Sequence, residues 1–144
     1  MASQSPPFLP QETDFSCAVA CLRMVIATFG VAKPEEQLRD LCDCTIFGIA
    51  ALELVRAARS LGFARSRKYS LDLSGLKGIT GQGYFPIVYV VLNRPADVHA
   101  LVVLSISDSE ISVIDPKQRY YPLSLSSFGE MWSPMNNLAV VVAK

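Results

Sequence analysis

Two side chains of this sequence could form the reacting pair of a nucleophilic enzyme: the thiol of Cys17 and the imidazole of His99, the single histidine of the chain. Cys17 begins the apolar segment CAVACLRMVIATF, directly after the polar stretch QETDFS. If that segment is helical, backbone N–H groups and the helix dipole at its first turn stabilise a thiolate. A nearby imidazole would be the general base. The alternative is a buried thiol, like Cys21, and a histidine that only packs in a strand.

Asp115 is the candidate for a third member of such a site. His99 lies in the apolar run 98–106, and Asp115 follows the short apolar run 111–114. If the two runs form a hairpin, His99 and Asp115 lie near the same end of adjacent strands. A carboxylate there accepts the proton of one ring nitrogen and turns the other nitrogen toward the thiol. The alternative is that Asp115 only starts an Asp-Pro turn.

Gln11 is the fourth candidate, because it lies a few residues before Cys17 in a stretch too polar for a core. Its side-chain amide and the backbone N–H of Cys17 could together hold the oxygen that becomes negative in acyl transfer. In chain order the four residues are Gln, Cys, His and Asp. That is the order in a papain-type thiol hydrolase, with Asp in place of the usual Asn.

The elements that would position these residues are helical in the first part of the chain. A buried helix is predicted over residues 17–29, because that segment is apolar on almost all sides, with Gly30 at its C-cap. A second helix is predicted from Pro34, with two acidic residues in its first turn. A third covers about 49–61 and ends at Gly62.

The second part of the chain is predicted to form strands. Runs of branched, aromatic and alternating residues indicate strands at 64–69, 86–92, 98–106, 111–114, 120–123 and 138–143, with a short helix at 124–132. A turn at 107–110 links two of these strands. Helices followed by strands predict the α+β class and not alternating α/β.

Composition excludes several kinds of protein. The chain has 144 residues, is 51% hydrophobic and only 18% charged, and has zero formal net charge. This composition excludes a disordered tail or a coiled coil. The chain also lacks the run of basic residues that a nucleic-acid-binding protein would have. No run approaches the ~18–20 apolar residues that span a bilayer, and the N-terminus does not resemble a signal peptide. We expect a cytoplasmic single domain over residues 1–144, with a flexible segment at 1–10.

The combination of motifs resembles the C39 peptidase family, the bacteriocin-processing cysteine peptidases. The matching segments are Gln11, then CAVACLRM (17–24) and Phe29-Gly30, then ELVRAARSLGF (53–63), HALVVL (99–104), Asp115-Pro116, and Phe128, Trp132 and LAVVV (138–142). Each part is weak alone, but the set is specific and covers nearly the whole chain.

The resemblance implies a papain-like fold in which the helix of the nucleophile packs on the C-terminal antiparallel sheet. It also implies a peptidase that cuts a leader peptide after a double glycine, with Cys17 as nucleophile, His99 as base, Asp115 as orienter and Gln11 as oxyanion donor. An amphipathic leader would be the peptide partner. An ABC exporter could be attached, since the family usually forms the N-terminal cytosolic domain of such exporters. The resemblance implies no cofactor.

Two departures from the family pattern keep alternatives open. Ala18 replaces the usual glycine after the cysteine, which is harmful only if that position needs a positive φ. The segment 93–97 is inserted just before His99 and could reshape the mouth of the cleft. The alternatives are a docking domain that binds export substrates without cutting them, or another papain-like amidase or acyltransferase. Cys42 and Cys44 could also join a zinc site, but their spacing is unusual for one.

Overall fold

The computed structural model describes residues 5–44 and 48–144. Within them five α-helices form, followed in one place by a short 3-10 turn at Ser133–Met135. The helices are α1 (Cys17–Ala27), α2 (Glu35–Leu41), α3 (Ala51–Ser60), α4 (Leu73–Gly81) and α5 (Leu125–Trp132). All except α4 were predicted, with ends that differ by a few residues.

One antiparallel sheet of six described strands occupies the centre of the fold. The strands are β1 (Arg67–Ser70), β2 (Ile87–Val91), β3 (Val98–Ile106), β4 (Glu110–Ile114), β5 (Tyr120–Ser124) and β6 (Leu138–Val141). Their order across the sheet is β1-β6-β2-β3-β4-β5. The predicted hairpin is confirmed: β3 pairs with β4, and the Ser107 N–H donates to the Glu110 carbonyl at 2.8 Å across the turn.

Helices cover both faces of this sheet. On one face α1, α2 and α3 pack on a core that includes Ile87, Ala100 and Val102. On the other face α4 and α5 pack on a second core that includes Leu101 and Val103. Neighbouring residues of β3 thus bury their side chains on opposite faces, as the period of two in a strand requires. The chain has the predicted α+β class, with the first helix against the sheet.

Helix α4 was missed because its sequence, LSGLKGITG, has three glycines and buries only Leu76 fully. Glycine disfavours a helix interior by up to about 1 kcal/mol each relative to alanine. Two features of the structure offset that cost. The Asp72 side chain accepts a hydrogen bond from the Gly75 N–H at 2.7 Å, and Leu76 packs in the second core.

Candidate active site

Cys17 is the first residue of α1, and the turn before it is tightly held. The Thr13 N–H donates to the Ser16 hydroxyl oxygen at 3.1 Å, and Ser16 itself is fully buried. Cys17 is half-buried, whereas the helix from Ala18 to Leu22 is buried in the core. The first N–H groups of a helix have no partner inside it. The thiol therefore lies at the positive end of a helix that packing holds rigid.

His99 and Asp115 meet at the end of the β3–β4 hairpin. The ring nitrogen Nε2 of His99 lies 2.6 Å from Oδ1 of Asp115. Both residues are buried, with 7% and 2% of their surface exposed. Val102 of β3 pairs with Ile114 of β4 in the antiparallel hairpin. His99 comes before Val102 and Asp115 directly follows Ile114, so both residues lie at the end of the hairpin away from its turn. A short, buried hydrogen bond fixes the ring orientation of His99.

The ionisation of this pair favours a charged imidazole. Burial alone would lower the pKa of His99, but hydrogen bonds to Asp115 and Cys17 and their charges outweigh it and raise the pKa to about 9. Burial alone would raise the pKa of Asp115. Its hydrogen bond to His99, with those from the Lys117 N–H and Tyr121, lowers that pKa instead. At neutral pH the site therefore holds an imidazolium beside a carboxylate.

Cys17 also acts on the His99 ring, because its thiol is among the groups that raise the pKa of His99. Because Nε2 faces Asp115, the nitrogen directed to the thiol is Nδ1. Thiol, imidazole and carboxylate thus follow one another in a chain, which is the arrangement that activates a nucleophilic thiol through a base and an orienting third group.

Gln11 is joined to both sides of this site. Its backbone N–H donates to the Pro116 carbonyl at 2.8 Å, which attaches the segment before α1 to the residue after Asp115. Its side-chain nitrogen Nε2 donates to the Thr13 carbonyl at 2.6 Å. An amide nitrogen has two hydrogens, so one N–H of Gln11 is left for a ligand.

All four predicted residues line one cleft of about 400 Å³. Its lining also includes Gly48 and residues of the loop between β2 and β3, among them Ala96 and Asp97. The inserted segment 93–97 therefore does contribute to the mouth of the cleft. Asp14, Lys117 and Gln118 add further polar and charged groups to its lining.

Ala18 does not distort the site. It lies inside α1, is 2% exposed, and is not among the residues with a positive φ. In a helix an alanine is more stable than the glycine it replaces. The exchange therefore leaves the backbone at the cysteine regular, and the docking-domain alternative loses its support from the sequence.

Sequence reasoning missed two residues next to the site. Glu35 is fully buried, and its carboxylate accepts the Glu12 N–H with both oxygens, at 3.1 and 3.2 Å. The Tyr121 hydroxyl donates to Oδ2 of Asp115 at 3.3 Å. The sequence predicted the helix that carries Glu35 and the strand that carries Tyr121. Nothing in it indicated that the Glu35 side chain is buried or that the Tyr121 side chain points to Asp115.

The four cysteines are reduced thiols, and they do not assemble a metal site. In residues 5–44 and 48–144 no three groups of the ligating types lie close enough to hold an ion. Burial, more than the neighbouring Cys44 and Glu53, raises the pKa of Cys42 to about 12. Its thiol is therefore protonated at neutral pH, which makes it a poor metal ligand. No helix in the described part of the chain has the length and hydropathy to cross a membrane.

Comparison with protein families gives one match over nearly the whole chain. The model of the peptidase C39 family matches residues 6–144. Among curated proteins, the transport/processing ATP-binding protein ComA of Streptococcus pneumoniae (strain ATCC BAA-255 / R6) is 32% identical over 129 residues. The match covers 88% of this chain and 17% of that protein, so this chain spans about a sixth of the relative's length.

Solved structures share this fold. The peptidase domain of Streptococcus ComA, described as a bifunctional ABC transporter involved in a quorum sensing pathway, superposes with a TM-score of 0.85 at 25% identity. That likeness covers 98% of this chain and 100% of the domain. A double glycine motif protease from an AMS/PCAT transporter, solved with its leader peptide, gives 0.78 at 20% identity, over 97% of this chain and 94% of that one. The second likeness is one of fold.

Proposed function

The chain belongs to the peptidase C39 family and is a cysteine peptidase, and from that premise we propose that it cleaves a leader peptide after a double glycine. We propose Cys17 as nucleophile, His99 as base and acid, Asp115 as the group that orients His99, and Gln11 as oxyanion donor. The observation that carries the proposal is the 2.6 Å hydrogen bond between His99 and Asp115, in a cleft that Cys17 also lines.

The first half of the reaction forms a thioester. His99 holds the Cys17 proton at Nδ1, and the thiolate attacks the carbonyl carbon of the second glycine. The resulting oxyanion is held by the backbone N–H of Cys17 and the remaining N–H of Gln11. The intermediate collapses when the C–N bond breaks, and His99 gives its proton to the leaving amine. The pKa of His99, about 9, suits it to hold that proton at neutral pH.

The second half releases the leader. Water enters the cleft, His99 removes its proton, and the hydroxide adds to the thioester carbonyl. The same two donors hold the second oxyanion. Collapse breaks the C–S bond and leaves a glycine carboxylic acid on the leader, which gives its proton to solvent. The proton on His99 stays beside the thiolate of Cys17, ready for the next cycle. The Asp115 carboxylate stabilises the imidazolium throughout and is not consumed.

The substrate class is inferred from the family and from the surface around the cleft. A double glycine presents no side chain, so it can pass through a narrow cleft close to the thiol. Large apolar side chains stay exposed at Leu92 and Val98, which line the cleft beside the loop between β2 and β3, and at Leu52 near the start of α3. We propose that the apolar face of an amphipathic leader docks on such residues. The partner would then be an exported peptide, and an attached or separate ABC exporter would receive the product in the cytoplasm.

Cleavage of a synthetic leader peptide tests this function. We expect mass spectrometry to show a single cut after Gly-Gly, no cut when leucine replaces the second glycine, and no product with Cys17→Ala. Cys44→Ala is the matched control, because Cys44 is also a half-buried thiol but does not line the cleft. If no cleavage occurs but Cys17 is still alkylated faster than the other three cysteines, the hypothesis of a papain-like amidase or acyltransferase is favoured. Absence of both would leave a docking domain.

A further inference from the structure

We propose that Tyr121 is a positioning residue of this site, which holds the Asp115 carboxylate in the orientation that His99 needs. The inference rests on the proposed roles of His99 and Asp115. It adds a fourth member to the chain that runs from Cys17 through the imidazole to the carboxylate, and it brings in β5, an edge strand that none of the four predicted residues belongs to.

The two oxygens of Asp115 have separate partners. Oδ1 faces His99 at 2.6 Å and accepts the Lys117 N–H at 2.8 Å. Oδ2 accepts the Tyr121 hydroxyl at 3.3 Å. The terminal torsion of an aspartate is broad and roughly two-fold, so bonds to one oxygen alone leave the group free to rock. A donor on the second oxygen removes that freedom.

The sheet determines where the Tyr121 hydroxyl lies. Strand β5 pairs with β4 so that Tyr121 is opposite Val113, two residues before Asp115. Adjacent strands thereby carry the three groups: His99 on β3, Asp115 at the end of β4 and Tyr121 on β5. The preceding residue, Tyr120, donates instead to the Pro6 carbonyl at 2.7 Å, as expected for alternating directions in a strand.

The Tyr121 hydroxyl remains a donor over the whole working range of pH. Burial, followed by the charge of Asp115 and its hydrogen bond, raises the pKa of Tyr121 to about 12. The other titratable groups that act on Asp115 are His99 from β3 and, from α1, Cys21, whose pKa burial raises well above its usual value. Cys21 is therefore neutral. Among these groups Tyr121 alone can be changed without altering the nucleophile, the base or the core.

The experiment compares Tyr121→Phe with Tyr120→Phe. Each variant loses one hydroxyl from neighbouring residues of β5, but only the first loses a bond to Asp115. For Tyr121→Phe we expect kcat on a double-glycine peptide to fall roughly 3- to 10-fold, the worth of one ordinary hydrogen bond, since the contact is long at 3.3 Å, with KM nearly unchanged. Tyr120→Phe should keep the wild-type kcat.

A second readout needs no substrate. His99 is the single histidine, so its ring signals in an NMR titration are unambiguous. A donor to Asp115 lowers the pKa of that carboxyl. Tyr121→Phe should therefore move the acidic inflection of the His99 signals, caused by protonation of Asp115, to higher pH, and Tyr120→Phe should not. This shift is expected whatever peptide the enzyme cuts, so a wrong substrate proposal leaves it intact.

Three results would overturn the inference. One is an unchanged acidic inflection in Tyr121→Phe, even if kcat falls, because the hydroxyl would then act only on packing. The second is an equal loss of kcat in both variants. The third is a Tyr121→Phe enzyme with wild-type kcat. The two phenylalanine variants keep their rings, so their thermal midpoints should lie within a few degrees of the wild type and make the comparison valid.

Discussion

At the scale of single residues, Gln11 has one side-chain N–H committed and one left over. The first of these N–H groups donates a hydrogen bond to the Thr13 carbonyl at 2.6 Å, and this bond fixes the amide plane before any ligand arrives. A donor held in place in advance stabilises a developing oxyanion without reorganisation. The effect belongs to the transition state, so it appears in kcat and not in KM.

We predict that Gln11→Ala lowers kcat by roughly 10²–10³-fold with little change in KM. Gln11→Glu keeps the size of the side chain but removes the donors and adds a negative charge, so the loss should be at least as large. Steady-state kinetics on a double-glycine peptide measure both. Gln118→Ala is the control, because Gln118 is the other glutamine that lines the cleft. Similar losses at Gln11 and Gln118 would mean that Gln11 only shapes the cleft.

The types and order of the four candidate residues were accessible from the sequence, and so was the hairpin that joins His99 to Asp115. Each rests on a local signal: a polar-to-apolar boundary at Cys17, or two strands separated by a short turn. Tyr121 and Glu35 had no such signal. Their importance depends on the register of β5 against β4 and on the burial of one side of α2, which only the folded chain defines.

At the scale of elements, α2 holds the segment that precedes the nucleophile. Glu35 in its first turn is fully buried, accepts the Glu12 N–H with both oxygens, and forms an ion pair with Arg39 at 3.2 Å. Burial raises the pKa of Glu35, which shows that placing this charge inside the protein is costly. The cost is tolerated because the carboxylate ties the backbone of residues 11–16 to α2.

We predict that Glu35→Gln lowers the free energy of unfolding by roughly 1–3 kcal/mol, because the amide cannot replace both acceptor bonds and removes the buried one of the two carboxylates that pair with Arg39. The same change should reduce the preference of iodoacetamide for Cys17, since the turn before it loosens. Urea denaturation and peptide mapping of the labelled thiols measure the two effects. The exposed neighbour Glu36 provides the control variant Glu36→Gln. Equal destabilisation in the two variants would contradict the role given to Glu35.

Element boundaries show where local signals were sufficient. The strands β2, β3, β4 and β6 follow from apolar runs buried on both faces. Helix α5 was also predicted, and the Ser124 side chain caps it by accepting the Ser127 N–H at 3.1 Å. Helix α4 was not, because its stability comes from an Asp72 cap and one buried leucine, which outweigh three glycines only in the folded protein.

At the scale of the whole molecule, the order of strands could not be deduced from local patterns. The last strand, β6, lies between β1 and β2, whereas the site lies at β3 and β4. The site itself joins distant parts of the chain: the segment before α1, the start of β3 and the end of β4. The backbone bond from Gln11 to Pro116 crosses most of the sequence. Assembly of the cleft therefore depends on the pairing of β3 with β4 and on the bond that joins Gln11 to Pro116.

This long-range pairing predicts how the stability of the whole protein depends on pH. The pKa of His99 is raised from 6.5 to about 9, so its contribution is fully present below 6.5 and is lost as pH rises through about 9. The pKa of Asp115 is lowered, so its contribution is present above 3.8 and is lost as pH falls through its folded value. The pair therefore stabilises the fold most between about pH 4 and 6.5.

We predict that the free energy of unfolding falls by roughly 2–3 kcal/mol between pH 5.5 and 8.5, since each tenfold change in proton affinity is worth about 1.4 kcal/mol. Urea denaturation over that interval measures it. The interval ends below the usual pKa of thiols and tyrosines, so their ionisation adds little, and His99 is the only histidine that can titrate within it. His99→Gln keeps a polar side chain at this position without a titrating group, so its profile should be nearly flat. A wild-type profile as flat as that of His99→Gln would mean that the imidazolium is not stabilised by Asp115 in the folded protein. The proposed proton transfer from His99 to the leaving amine would then lose its electrostatic basis, while the nucleophilic role of Cys17 would still be testable by alkylation.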